Sequence, residues 1–111
     1  MKTPSELVRA CFTAWETSDR DAIEELMADD FTFTSPKDDH LSREQYWVEC
    51  WANSDMIHSY KILNLVEEGS TAFVRYVAKL QDGKRFINTE FFSIENGKIA
   101  SVEVYFGREL S

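Results

Sequence analysis

A chain of 111 residues suffices for one domain, and 43% hydrophobic residues with four glycines and two prolines exclude a disordered polypeptide. Twenty acidic against twelve basic residues leave a net charge of −8, which repels phosphate backbones and anionic lipid, so neither nucleic acid nor a membrane is an expected partner. The chain shows no apolar run long enough to span a bilayer and no leading secretion signal, so the expectation is a single cytoplasmic domain over residues 1–111.

Thr3-Pro4-Ser5-Glu6 combines an N-cap, a proline suited to the first helical position and a glutamate able to reach back to the cap, which predicts a helix start. Leu7, Val8, Cys11, Phe12 and Trp15 continue it as one apolar stripe to about residue 17. Ser18 or Asp19 can cap a second helix, with Asp21 in its first turn and Ile23, Leu26 and Met27 on its buried side. Phe31-Thr32-Phe33-Thr34-Ser35 alternates as a strand that Pro36 ends, because proline has no amide for a ladder. Pro36-Lys37-Asp38-Asp39-His40 then reads as a charged loop. Leu41 and Tyr46 are placed as a hydrophobic staple around the capping box Ser42-Arg43-Glu44-Gln45, predicting a third helix over 43–52 with Tyr46, Trp47, Cys50 and Trp51 inward.

From Met56 the texture changes to alternating runs divided by Glu68-Gly69-Ser70, Asp82-Gly83 and Asn96-Gly97, which predicts strands near 57–67, 71–81, 84–95 and 98–106. Strands this long accumulate twist and curl around what packs on them. Helices followed by a meander give an α+β domain, a curved antiparallel sheet wrapped around three N-terminal helices. Ile87, Thr89, Phe91 and Tyr105 fall on the opposite, convex face, where their apolar character points to a homodimer contact. Cys11 and Cys50 lie among apolar helical residues without a CxxC spacing, and read as reduced thiols rather than metal or redox groups.

The element order, with Ser18-Asp19-Arg20-Asp21-Ala22-Ile23, Asp29 to Pro36 and Phe92-Ser93-Ile94-Glu95-Asn96-Gly97-Lys98-Ile99, resembles the SnoaL-like branch of the nuclear transport factor 2-like superfamily. The ending Val102-Glu103-Val104-Tyr105-Phe106 resembles that family's last strand. The resemblance implies a cone-shaped half-barrel around a pocket. It does not imply one activity, because the superfamily holds ketosteroid isomerases, polyketide cyclases, epoxide hydrolases, dehydratases and non-enzymatic binding domains. At the isomerases' general-base position this chain has Ser35, whose hydroxyl cannot replace a carboxylate, and their first-helix tyrosine falls on Cys11. Their strand acid corresponds to Glu90.

Parity places Asn88, Glu90, Phe92 and Ile94 on one face of the third meander strand, so Glu90 points inward with two core residues. An acid in that company either titrates high or finds a partner; the alternative is that coiling turns it to the rim, to pair with Arg75, Lys79 or Arg85. Asp38, Asp39 and His40 form a second candidate acid–base cluster at the expected pocket mouth, against the plainer reading of a solvated loop. Ser35, Asn88 and His58 are candidate polar contacts, and Trp15, Trp47, Trp51, Tyr76, Phe92 and Phe106 a candidate aromatic lining. No metal or cofactor is expected. The functional expectation is a pocket for an apolar or aromatic small molecule, serving either a lyase, isomerase or hydrolase acting through carboxylate and imidazole groups, or a non-catalytic binding or association domain.

Overall fold

The computed structural model describes residues 2–110. Helix α1 (Pro4–Glu16) starts at the expected capping box: the Thr3 hydroxyl accepts from the Glu6 amide and the Glu6 carboxylate accepts from the Thr3 amide. Asp19, not Ser18, caps α2 (Arg20–Leu26), accepting from Ala22 N–H at 3.1 Å, while Ser18 takes the positive φ that reverses the chain between the helices. Helix α3 (Arg43–Glu49) has its own reciprocal box between Ser42 and Gln45 and passes into a 3₁₀ segment, Trp51–Met56. Among the described residues no helix is long and apolar enough to cross a membrane.

Six strands follow in chain order: β1 (Met27–Ser35), β2 (Asp38–Ser42), β3 (Ile57–Glu68), β4 (Thr71–Leu80), β5 (Arg85–Glu95) and β6 (Lys98–Leu110). They form one curved, unclosed sheet in the order β2-β1-β6-β5-β4-β3. The meander β3 to β6 is antiparallel throughout, and the Asn96-Gly97 turn has φ of 51° and 75°, as a tight hairpin matching strand twist requires. Two points correct the sequence reading. Asp38–His40 is not a loop but part of β2, which pairs with the end of β1 across a bulge. And the sheet is mixed: β1 lies parallel to β6. Its direction is set by the long crossover through α3 and the meander rather than by a turn, which no local motif can encode.

The concave face is built from cross-strand rows. Phe33, Val102, Phe92 and Ala72 form one; Val104, Glu90, Val74 and Leu65 the next; Phe106, Asn88, Tyr76 and Ile62 a third. Helix α1 lays Leu7, Val8 and Phe12 on these rows, and Phe92, Val74, Leu7 and Val8 are essentially sealed from water. Each such apolar side chain contributes roughly 1.5–3 kcal/mol by burial. Glu90 lies in the middle row, fixed between two buried valines by the same parity that buries Phe92 and Ile94.

Candidate active site

Between α1, α3 and the concave face lies a cavity of about 210 Å³. Helix α1 supplies Cys11, Phe12 and Trp15; β1 supplies Phe33; α3 supplies Tyr46; β3 and β4 supply Tyr60 and Tyr76. The remaining wall is Phe86, Asn88, Glu90 and Phe92 of β5, with Val102, Val104 and Phe106 of β6. The aromatic shell interlocks edge to face. Phe12 meets Tyr60 at 4.9 Å and Tyr76 at 4.8 Å between ring centroids, which fixes both phenols against the helix.

Polar groups in this shell are few and positioned. The Tyr76 hydroxyl donates a short hydrogen bond to Glu90 Oε2. Trp15 Nε1–H donates to the Tyr46 hydroxyl at 3.0 Å, leaving that hydroxyl's own proton to donate elsewhere. Asn88 Oδ1 accepts from the Gly107 amide at 3.1 Å. Among the described residues no lysine, arginine or histidine lines the cavity. Burial therefore pushes the Glu90 carboxyl up to about 7, with the Tyr76 hydrogen bond pulling in the opposite direction. Burial, followed by the Glu90 charge, raises Tyr60 and Tyr76 above the ordinary phenol range, and burial is the main cause for Tyr46 as well. The same desolvation raises Cys11 and pushes Cys50 up to about 12, so both free cysteines are protonated, unreactive thiols.

Of the residues singled out in the sequence, Glu90, Trp15, Tyr76, Asn88, Phe92 and Phe106 come together here. The others do not. Asp39 and His40 contact each other at 2.5 Å, with their side chains 91% and 73% exposed, because β2 is the sheet's outer edge and turns them to solvent. Asp38 accepts from the Ser35 hydroxyl at 3.0 Å, and Ser35 in turn accepts from the Lys37 amide, so both complete the β1–β2 turn rather than the cavity wall. His58 is exposed and contacts the Ser59 hydroxyl at 3.0 Å. Trp47 and Trp51 sit one layer behind the wall: Trp51 stands edge-on to Trp15 at 4.8 Å and to Trp47 at 5.5 Å, and the Arg20 guanidinium covers the Trp47 ring at 4.4 Å. Tyr46, placed inward on α3 from the sequence, also joins the wall, whereas Phe12, Phe33, Tyr60, Phe86, Val102 and Val104 are wall residues that sequence reasoning left out of the site. Strand parity is the signal that points to Tyr60 and Phe86, since both belong to the row through Ala78. Among the described residues no group of three or more His, Cys, Asp or Glu side chains is arranged to hold a metal ion.

The SnoaL-like domain matches residues 8–102 of the chain. Among solved structures, an NTF2-like protein of unknown function from Cytophaga hutchinsonii is 24% identical, with 96% of this chain and 92% of that one aligned at a TM-score of 0.79. A candidate polyketide cyclase from Sinorhizobium meliloti is 25% identical over 88% of this chain and 92% of its own, at a TM-score of 0.76. An LEH-like epoxide hydrolase from M. tuberculosis is 16% identical over 94% of this chain and 82% of its own, at 0.79. No curated protein matches the sequence.

Proposed function

This chain belongs to the SnoaL-like domain family, and from that premise we propose that it binds a small, uncharged, largely apolar molecule in the cavity and moves a proton on it through Glu90. The observation that carries the reading is one carboxyl group, bonded to Tyr76 and pushed by burial up to about 7, inside a cavity lined mostly by aromatic and aliphatic side chains. A group that titrates near neutrality both takes and returns a proton efficiently, typically a contribution of about 10²–10⁴ in rate. With one such group, the reaction best served is one in which the same carboxylate removes a proton from carbon and delivers it again or loses it, an isomerisation or an elimination. Hydrolysis, which asks for a separate acid and base, is less well served. Such a proton transfer requires no cofactor.

Cavity size narrows the ligand. A cavity of ~150 Å³ accommodates benzene, so about 210 Å³ suits one substituted ring or a small fused bicycle. A four-ring steroid exceeds it, in keeping with Ser35 and Cys11 at the positions where the resemblance would ask for a general base and a hydroxyl. The absence of a cation from the lining, with Glu90 present, disfavours anionic ligands. The exposed Asp39 and His40 have no part in this chemistry.

The test is deuterium uptake from D₂O into neutral ketones of matching size, such as indan-2-one, followed by NMR. The parent protein is expected to accelerate exchange and Glu90→Gln to fall to the buffer rate. Ketones that bind both proteins without accelerated exchange would instead support the second reading, a non-catalytic binding domain in which Glu90 only hydrogen-bonds its ligand.

We also propose a homodimer through the convex face, where Val66, Phe73 and Phe91 form a row beside Tyr105; Phe73 and Tyr105 are each 47% exposed. Light scattering at micromolar concentration tests it: a dimer that Phe73→Asp dissociates is expected, and a monomeric parent would remove the idea. The free, protonated thiols suit a reducing cytoplasm.

A further inference from the structure

Next to the cavity the β5–β6 ladder is irregular. Phe86 pairs with Glu109 and Asn88 with Phe106, so on β6 the two residues Gly107 and Arg108 oppose Ile87 alone. This is a β-bulge, and two features hold it. A Cβ built on Gly107 would lie 2.1 Å from the Ile87 carbonyl oxygen, a backbone atom that cannot step aside, so this position admits only glycine without local rearrangement. And the Gly107 amide, turned out of the ladder, is satisfied by Asn88 Oδ1 at 3.1 Å.

That second bond determines which way the Asn88 amide faces. A backbone N–H only donates, so the side-chain oxygen must lie toward Gly107 and the NH₂ group at the other end. Asn88 stands directly across the β4–β5 ladder from Tyr76, so the NH₂ end of its amide is the end that can donate to the Tyr76 hydroxyl, and it offsets part of the rise that burial imposes on that phenol. A phenol has one proton and two lone pairs. With a donor on its oxygen, the proton of Tyr76 is left to point at Glu90 Oε2, where the structure has it.

We propose that Asn88 and Gly107 are positioning residues: the β6 bulge locks the Asn88 amide, the amide orients the Tyr76 hydroxyl, and Tyr76 holds one oxygen of Glu90 so that the other faces the ligand. This rests on Glu90 being the reactive group, and assigns Asn88 a role inside the wall rather than on the ligand. The other ionisable groups around the carboxyl are Cys11 of α1, Tyr46 of α3 and Tyr60 of β3, none of which is bonded to it. Asn88 is thus the handle on the hydrogen bond that Glu90 receives.

The experiment is a double-mutant cycle read by the ¹³C titration of the Glu90 carboxyl, assigned by its loss in Glu90→Gln. Asn88→Ala is expected to raise the midpoint by about 0.5–1 pH unit, the size of one weakened hydrogen bond. In a Tyr76→Phe background, itself shifted upward, the same Asn88→Ala change is expected to do nothing. Gly107→Ala is expected to reproduce the Asn88→Ala shift where it folds; where it does not, the cycle stands without it. An unchanged midpoint in Asn88→Ala, or an equal shift with and without Tyr76, would overturn the proposal. Because the readout is titration and not turnover, it distinguishes a failed relay from a failed catalytic role: Glu90→Gln with undiminished exchange would sink the latter alone.

Discussion

Glu90 on β5 and the Asp39–His40 pair on β2 bring similar chemical groups to the middle and the edge of one sheet. Asp39 and His40 offer a carboxylate and an imidazole in contact, on paper the richer acid–base set. Yet β2 is a five-residue edge strand with water on its outer side, and solvent screens the pair. Glu90 has neither imidazole nor cation, only a phenol, but it lies in a central strand between Val74 and Val104. Surroundings, more than residue type, therefore separate the carboxyl proposed to react from the one on the sheet edge.

Substitutions can break or sharpen that contrast. The largest effect is expected on turnover: in the ketone exchange assay, Glu90→Gln should lose about 10²-fold or more, while Asp39→Asn with His40→Asn stays within twofold of the parent. Equal losses would show that burial is not the deciding variable. For stability, removing the neighbour that seals the row below Glu90 is most severe: Phe92→Ala, at a side chain 1% exposed, should cost about 3–5 kcal/mol in urea denaturation.

The pH dependence comes next. Glu90 holds its proton more tightly folded, at about 7, than in the unfolded chain, so its contribution to stability falls as pH rises through that window. Glu90→Gln should therefore gain on the parent between pH 5 and pH 8, by roughly 2–3 kcal/mol. A pH-independent difference would mean that Glu90 is hydrated. The smallest effect belongs to the edge: Asp39→Asn should change stability by less than about 0.5 kcal/mol, and high salt should abolish even that. Asparagine is the replacement for His40 because φ there is 51°, a conformation asparagine tolerates.

What the sequence revealed divides along the same line. Local chemistry was legible: both capping boxes, the Asn96-Gly97 hairpin and the inward parity of Glu90 are written within a few neighbouring residues. So was the likeness to the family that the domain match bears out. What depends on distant partners was not. Strand β1 begins at Met27, before the alternation of Phe31 to Ser35, because its pairing with β6 shifts register between Met27 and Thr32. Strand β6 continues to Leu110 because the Gly107 bulge carries it onward beside Arg85. Asp38 to His40 looked like a loop because a short, charged edge strand and a loop share a composition. Ser35 lies outside the cavity wall because its hydroxyl serves the β1–β2 turn, a partnership made only once β2 forms.

The parallel docking of β1 on β6 also has a consequence for assembly. Contacts between the chain's first and last strands have the greatest loop-closure cost, and folds that depend on them form slowly. The helices emerge early from synthesis, but the cavity they roof lacks the wall carrying Val102, Val104 and Phe106 until β6 is made. Until then the aromatic faces of α1, α3 and the meander remain open to water. Strand β6, made after the other five, thus joins β1–β2 to the meander and completes the cavity wall, which makes completion of the sheet and of the cavity a single late event.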